Sequence, residues 1–249
     1  MRSEKRTRPY AEERPAVFRF EKWLQTHAGK HPAAFYGLYR LARKDRARVV
    51  TPETELVIEG FPRSANSFAR VAFNWAQKEG KVRIATGLHV PAQVIRAARW
   101  RIPTLVLIRR PKDAVLSFAI RDPISVEQAL RYYLSFYETV EDYSDAYVLG
   151  TFEEVTGDFG RVILRLNDRF GTSFSPFRHN ERNVEAVLAR VQRNSKRKFG
   201  EVHWENKASL PVVAREETKR ELERELKRPE VERTLLRSEA VYDRLTATG

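Results

Sequence analysis

One apolar run without alternation, Thr104-Leu105-Val106-Leu107-Ile108, constrains the fold more than any other feature of the chain. A strand that faces water on one side alternates apolar and polar residues, whereas a strand buried on both faces is continuously apolar. Strands buried on both faces are typical of parallel sheets that are covered by helices. The run therefore predicts an interior strand of a mainly parallel sheet.

Strand and helix patterns alternate along the rest of the chain. Short apolar runs predict three further strands, at 55–61, 82–85 and 147–152. Helical periodicity predicts helices at 66–78, from Pro91, from Pro111, at 124–144, at 157–170, around 180–198 and over 213–246. This order predicts a three-layer α/β/α domain with a mainly parallel central sheet, like that of P-loop NTPases, plus helical N- and C-terminal segments.

The first 50 residues differ from the rest in charge. Residues 1–49 hold thirteen Lys or Arg and five Asp or Glu, a balance of +8 in a chain whose formal net charge is +13. Two apolar stripes, one over 17–24 and one over 35–41, predict two short helices that are broken near 29–32. We predict a basic helical extension over 1–50 and the main domain over 51–249. The aromatic and basic residues of 15–44 suit either packing on that domain or peripheral contact with a membrane surface.

Composition limits the possible functions. The chain has no cysteine, which excludes disulfides, thiolate nucleophiles and cysteine-based zinc sites. Neither a signal peptide nor an apolar run long enough for a membrane helix is visible, so we expect a cytoplasmic protein or one attached peripherally to a membrane. The basic surface attracts anions such as nucleotides, acidic glycans, anionic lipids or nucleic acid. Charge alone does not choose among them, and composition alone slightly favours a solvated basic arm that binds none of them.

The loop after the first predicted strand, Phe61-Pro62-Arg63-Ser64-Ala65-Asn66-Ser67, is a candidate anion site. A helix N-terminus offers N–H groups and a positive dipole end, and Arg63 adds donors that suit phosphate or sulfate oxygens. A polar turn that caps the helix explains the same residues, because serine and asparagine are favoured at helix caps. The loop alone does not decide between the two interpretations.

This loop differs from an ATP-binding P-loop. The Gly-Lys-Ser/Thr ending of that motif is replaced by Ala65-Asn66-Ser67, so its lysine is missing. The strongest strand ends in Arg109 and Arg110, where ATPases and kinases place a carboxylate that helps to hold Mg²⁺. Two cations repel a metal ion and attract a second phosphate. The pattern therefore indicates a site for two anionic groups and no metal.

Two motifs together resemble the sulfotransferases that use 3′-phosphoadenosine-5′-phosphosulfate (PAPS). Pro62-Arg63-Ser64-Ala65-Asn66-Ser67-Phe68 is similar to the family's Pro-Lys/Arg-Ser-Gly-Thr/Asn-Thr-Trp motif, which binds the 5′-phosphosulfate. Arg109-Arg110-Pro111-Lys112-Asp113, with Ser117 four residues later, resembles Arg-Asn-Pro-x-Asp-x-x-x-Ser, whose first Arg and last Ser hold the 3′-phosphate. The resemblance thus implies PAPS as co-substrate. Ala65 and Phe68 depart from the family, which has glycine and an adenine-stacking tryptophan there.

Three further segments extend the resemblance. Gly87-Leu88-His89-Val90-Pro91 resembles the family segment whose histidine is the general base, and histidine titrates in the range that such a base needs. Phe152-Glu153-Glu154-Val155 resembles a strand end whose aromatic residue lies near adenine. Residues 196–200 resemble a basic segment that closes on the 3′-phosphate, which implies that role for Arg197 and Lys198. A helix cap, an ordinary strand end and a basic helix end are the respective structural alternatives.

The resemblance implies in-line transfer of a sulfuryl group to a hydroxyl or amine acceptor. His89 would take the acceptor's proton, and Arg63 would stabilise charge on the leaving phosphate. We expect a hydroxyl-bearing acceptor, either an acidic glycan or a lipid-linked molecule, and no nucleic-acid partner, since no nucleic-acid module is recognisable. A kinase-like phosphotransferase and a non-catalytic polyanion-binding protein remain as alternatives. The sequence does not indicate an oligomeric state.

Overall fold

The computed structural model describes residues 29–41, 48–78, 80–122, 124–199 and 216–247. Four strands are present in this part of the chain: β1 Leu56–Gly60, β2 Ile84–Thr86, β3 Thr104–Ile108 and β4 Val148–Thr151. The helices are α1 Pro32–Leu41, α2 Asn66–Ala76, α3 Pro91–Trp100, α4 Pro111–Arg121, α5 Val126–Glu141, α6 Phe152–Gly157, α7 Phe159–Phe170, α8 Glu181–Phe199, α9 Glu216–Glu225 and α10 Pro229–Ala247. One short 3₁₀ turn, Ser144–Ala146, precedes β4.

All four strands are parallel, in the order β2-β1-β3-β4. The register aligns Val57 with Thr104 across the β1–β3 pair, and Leu105 with Val148 across the β3–β4 pair. Both β1 and β3 are buried along their whole length, as the unbroken apolar run of β3 predicts. The predicted fold class, an α/β domain with a parallel sheet, is confirmed.

Helices cover both faces of the sheet. Leu105 and Leu107 of β3 point into a core formed with α2, α6, α7 and α8. Val106 and Ile108, which alternate with them, point into the opposite core with α4, α5 and α10. Because successive strand side chains point to opposite faces, one apolar run supplies both cores. The molecule is therefore three-layered, with β1 and β3 in the middle of the sheet.

Several predicted elements begin or end a few residues from the expected positions, and two of these differences have a clear physical reason. The strand predicted over 147–152 spans Val148–Thr151, and Phe152 opens α6 instead of ending the strand. Thr151 and Glu154 form a capping box, in which each side chain accepts a hydrogen bond from the other's backbone N–H, and this starts the helix there. The charged C-terminal region contains two helices, α9 and α10, and Pro229 opens the second. Proline suits a first helical turn and disrupts a helix interior.

Helix α1 packs on the domain through its aromatic residues. Phe35, Tyr36 and Tyr39 are buried with Val57 of β1 and residues of α3. The second of the two predicted N-terminal helices is thus present, whereas the predicted stripe over 17–24 lies outside the described residues. The division of the chain at residue 50 and the membrane contact through 15–44 stay predictions. None of the helices in the described ranges has both the length and the apolar character needed to cross a membrane.

Candidate active site at the carboxyl edge of the sheet

The strand order creates a crevice between β1 and β3. The chain leaves β1 toward β2 on one side, through α2, and leaves β3 toward β4 on the other side, through α4 and α5. In open parallel sheets, ligands bind at such a switch point, beyond the carboxyl ends of the strands. The two loops that border it are the one after Gly60 and the one after Ile108, which carry the two predicted anion-binding motifs.

A close approach of β1 and β3 brings these loops together. Gly60 lies opposite Leu107, and a Cβ atom on Gly60 would lie 2.2 Å from the carbonyl oxygen of Leu107. Such a contact is far inside van der Waals distance, so only glycine fits here. Gly60 therefore sets the width of the crevice floor.

Internal hydrogen bonds hold the loop after β1 in a tight turn. The Asn66 amide donates to the carbonyl of Phe61 at 2.9 Å, and the Ser64 N–H donates to the same carbonyl at 3.3 Å. Arg63 and Ala65 adopt positive φ angles of 74° and 64°. Residues other than glycine rarely adopt this left-handed conformation, and such strain clusters at functional sites. Ser64 is fully buried, whereas Ser67 is exposed on the first turn of α2.

The N-terminus of α2 bears on the helix-cap interpretation that the sequence left open. Its N-cap residue is Ala65, and no side chain caps it. The N–H groups of the first helical turn have no acceptor within a helix, and they carry the positive end of the dipole. The polar residues of the loop therefore do not form a conventional cap. A helix N-terminus without a side-chain cap suits an anion, and anion binding by this loop stays a prediction.

Arg63, Ser117 and Arg109 converge beside this helix end. The Arg63 Nε donates to the Ser117 hydroxyl at 2.8 Å, and an Arg109 nitrogen lies 3.4 Å from the carbonyl oxygen of Arg63. Burial lowers the pKa of Arg109, an effect that Asp113 and Glu153 oppose. The two motifs, separated by 54 positions between Arg63 and Ser117, thus form one basic cluster. Arg110 points elsewhere, and its guanidinium lies 5.3 Å from the ring centre of Tyr242.

His89 lies between the two motifs in sequence and at the same edge of the sheet. Its Nδ1 lies 2.7 Å from the carbonyl oxygen of Gly60. A carbonyl can only accept, so in the neutral imidazole Nδ1 carries the proton and Nε2 carries the lone pair. His89 also has a positive φ of 56°. The structure therefore places the predicted base in the tautomer that proton abstraction at Nε2 needs.

Glu59 is a site residue that the sequence pattern did not reveal. It is fully buried in β1, and its two carboxylate oxygens accept the N–H groups of Leu88 at 3.0 Å and His89 at 2.9 Å. Burial raises the pKa of Glu59 to about 7, although these hydrogen bonds, Arg48 and Gln93 act in the opposite direction. A charged residue in an otherwise apolar strand was the available signal.

Three tyrosines of α5, in the layer that also contains α4 and α10, donate hydrogen bonds to backbone carbonyls of the site. Tyr132 donates to the carbonyl of His89, Tyr133 to that of Arg109 at 2.8 Å, and Tyr137 to that of Leu107 at 2.7 Å. Burial raises the pKa of each hydroxyl, so all three remain protonated donors. Buried tyrosines usually have a hydrogen-bond partner for the hydroxyl, so three tyrosines on one predicted helix indicate that this helix packs against polar groups.

The remaining predicted contacts lie around this centre. The Phe152 ring lies under the Arg109 guanidinium, 4.1 Å from it. Phe68 is largely buried, and its ring packs against Phe177 at 6.1 Å and His179 at 6.0 Å. The predicted adenine contacts of Phe68 and Phe152 stay predictions.

Arg197 is not brought to the basic cluster by any described contact. It is exposed near the end of α8. Burial, followed by the charges of Arg48 and Arg197, lowers the pKa of Arg70. The side chain of Lys198 lies outside the described part of the chain. The predicted closure of these two residues on a 3′-phosphate stays a prediction.

Comparisons with known proteins give little beyond this geometry. No family model matches the sequence, and no curated protein matches it. Among solved structures, the chain is similar to mouse sulfotransferase SULT7A1 in complex with PAP, at 14% sequence identity and a TM-score of 0.41. The match covers 77% of this chain and 90% of that one. A likeness this distant carries no argument about ligand or activity, which have to be argued from the side chains of the site.

Proposed function

We propose that this chain is a sulfotransferase that moves the sulfuryl group of PAPS to a hydroxyl or amine acceptor. The observation that carries the proposal is the convergence of Arg63, Arg109 and Ser117 beside the α2 N-terminus, which has no side-chain cap. Two cationic side chains, a hydroxyl and a helix end suit a ligand with two separate anionic groups. A 5′-phosphosulfate and a 3′-phosphate on one nucleotide are such a pair.

The residues of the site divide into two groups. Arg63, the N–H groups of the loop and Ser67 surround the α2 N-terminus, where they would hold the 5′-phosphosulfate. Arg109 and Ser117 would hold the 3′-phosphate, and the Phe152 ring would lie near the adenine. PAPS would supply the sulfuryl group. The negative charge that develops on the phosphate oxygen lies where the helix dipole and Arg63 stabilise it.

His89 would act as the general base. Nε2 takes the proton of the acceptor as the acceptor's oxygen or nitrogen bonds to sulfur and the bond from sulfur to the phosphate oxygen breaks. The Gly60 carbonyl holds the opposite ring nitrogen in its protonated form. Proton abstraction by a positioned histidine is typically worth about 10²- to 10⁴-fold in rate.

Transfer of labelled sulfuryl from PAPS to a panel of hydroxyl and amine acceptors tests the activity. Transfer that depends on both PAPS and an acceptor supports it. His89→Ala should lower kcat by about 10²- to 10⁴-fold and leave the affinity for PAP unchanged. No binding of PAP or PAPS in calorimetry would refute the proposal.

Arg109→Ala provides a sharper test of nucleotide orientation. Because a hydrogen bond to a charged group contributes about 1.5–3 kcal/mol, the affinity for PAP should fall about 10- to 100-fold. AMP lacks the 3′-phosphate, so its affinity should not change. An equal loss for both nucleotides would place Arg109 elsewhere in the site.

The rival functions make different predictions. A kinase-like phosphotransferase requires binding of ATP that depends on Mg²⁺, and the strand end that would carry a metal-binding carboxylate carries Arg109. A polyanion-binding protein would bind heparin or nucleic acid with an affinity that falls steeply with salt and would not distinguish PAP from AMP. The acceptor remains a proposal of class only, a hydroxyl-bearing glycan or lipid-linked molecule.

A further inference from the structure

Glu59 is an acidic residue at a position where burial disfavours its charge. It is the fourth residue of β1, is fully buried, and follows Leu56, Val57 and Ile58, which are also fully buried. A buried carboxylate destabilises a fold unless hydrogen bonds compensate for its desolvation. Its carboxylate accepts hydrogen bonds from the N–H groups of Leu88 and His89, so the largest compensation comes from the segment that carries the base, with smaller contributions from Arg48 and Gln93.

Glu59 accepts two backbone N–H groups of that segment. Strand β2 ends at Thr86, so the N–H groups of Leu88 and His89 lie beyond the ladder that pairs β2 with β1. Positive φ angles at Gly87 and His89 turn the chain sharply before α3 begins at Pro91. The two oxygens of Glu59 each accept one of these N–H groups, and an Arg48 guanidinium nitrogen donates to the carbonyl of Gly87.

Three hydrogen bonds fix the backbone and the ring of His89. Glu59 accepts its N–H, Tyr132 donates to its carbonyl, and the carbonyl of Gly60 accepts from its ring. Glu59 and Gly60 are consecutive residues of one central strand, so the backbone and the ring of His89 are fixed by the same rigid element. A positive φ costs of order 1–3 kcal/mol and persists only where the surroundings impose it.

We propose that Glu59 is a positioning residue for the histidine base: its carboxylate imposes the strained loop conformation that directs Nε2 of His89 into the crevice. This inference rests on the proposed function of His89. Glu59 itself does not touch the reacting atoms. Without the carboxylate, the loop relaxes from its positive φ angles and the ring loses its alignment with the carbonyl of Gly60.

A double-mutant cycle in kcat tests the inference. Glu59→Gln keeps the shape but turns an NH₂ group toward one of the two N–H donors, and should lower kcat about 10- to 100-fold with the affinity for PAP unchanged. In a His89→Ala background the same change should lower kcat by less than about twofold, because the residue through which Glu59 acts is gone. A full second loss in that background would overturn the inference.

Thr104→Val is the matched control. Thr104 is also fully buried, on the neighbouring strand β3, and its hydroxyl donates to the carbonyl of Ile102 at the opposite edge of the sheet. Its loss should lower stability and leave kcat as in the wild type. If Thr104→Val lowers kcat as much as Glu59→Gln does, general destabilisation explains both and the inference fails. Glu59→Asp, which keeps the charge but shortens the reach, should show the same pattern if Glu59→Gln does not fold.

A nuclear magnetic resonance measurement on the ring nitrogens of His89 needs no donor or acceptor, so it separates this inference from the proposed activity. In the wild type at neutral pH the neutral ring should be the tautomer with the proton on Nδ1. In Glu59→Gln the ring signals and the amide proton of His89 should shift as the two tautomers mix. Unchanged signals would overturn the inference even if the protein proves to be a sulfotransferase. If the signals change but no sulfuryl transfer is found, the result supports the inference that Glu59 fixes the loop conformation and refutes only the proposed function.

Discussion

Glu59 makes the stability of the domain depend on pH in a direction opposite to that of a surface carboxylate. Burial raises its pKa from 4.5 to about 7 in the folded chain, and the hydrogen bonds from Leu88 and His89 offset only part of this. The charged or titratable groups that face it are Arg48, His89, Tyr36 and Tyr132. Ionisation of Glu59 is therefore easier in the unfolded chain than in the folded one.

The size of the effect follows from the difference between the two pKa values. A shift of one pKa unit corresponds to about 1.4 kcal/mol, so a rise from 4.5 to about 7 amounts to about 3 kcal/mol. Between these values the folded state binds more protons than the unfolded state, so the free energy of unfolding falls as pH rises. The stabilisation is complete below pH 4.5 and is lost as pH passes through about 7.

Denaturant unfolding of the wild type and Glu59→Gln over pH 4.5–8.5 measures this contribution. Glutamine does not titrate, so ionisable groups far from residue 59 cancel in the difference between the two proteins, and repeating the comparison in the His89→Ala background removes the imidazole of the residue that contacts Glu59. The wild type should lose about 3 kcal/mol relative to Glu59→Gln across that range. A difference that is constant, or that moves in favour of the wild type as pH rises, would refute the reasoning.

Other predictions concern the packing under the site. Gly60→Ala should destabilise the domain by about 3 kcal/mol or more in denaturant unfolding, because the new Cβ would lie 2.2 Å from the backbone oxygen of Leu107. Gly37→Ala is the control: nothing lies within 4 Å of the new Cβ, so this change should stabilise α1 by about 0.5–1 kcal/mol. Equal effects of the two substitutions would contradict the packing argument. Tyr137→Phe should cost about 1–3 kcal/mol, because the N–H of Phe61 loses a buried acceptor and the carbonyl of Leu107 a donor. A loss below about 0.5 kcal/mol for Tyr137→Phe would mean that water replaces the hydroxyl.

Local sequence patterns predicted most of the elements and their order. The apolar run at Thr104–Ile108 identifies an interior strand without tertiary information, because a strand that is buried on both faces lacks the alternating polar residues of a strand that faces water. Proline at Pro91 and Pro111 marked two helix starts correctly, since its fixed φ suits a first turn. The apolar pattern places the end of β4 at Phe152, one residue too late, because the capping box of Thr151 and Glu154 starts α6 there.

The sequence by itself determined the fold class and the order of the elements, and it predicted Arg63, Ser67, Arg109 and Ser117 as anion-binding residues and His89 as a base. Only the tertiary structure brings Arg63, Arg109 and Ser117 together and places the His89 ring against the carbonyl of Gly60. The strand order places β1 between β2 and β3, which brings residues 29 to 54 positions apart within hydrogen-bond distance. It also revealed that Glu59 supports His89. A sequence pattern shows which side chains are apolar and at what period they recur. The partner of a buried carboxylate depends instead on which strands are neighbours and on their register in the sheet.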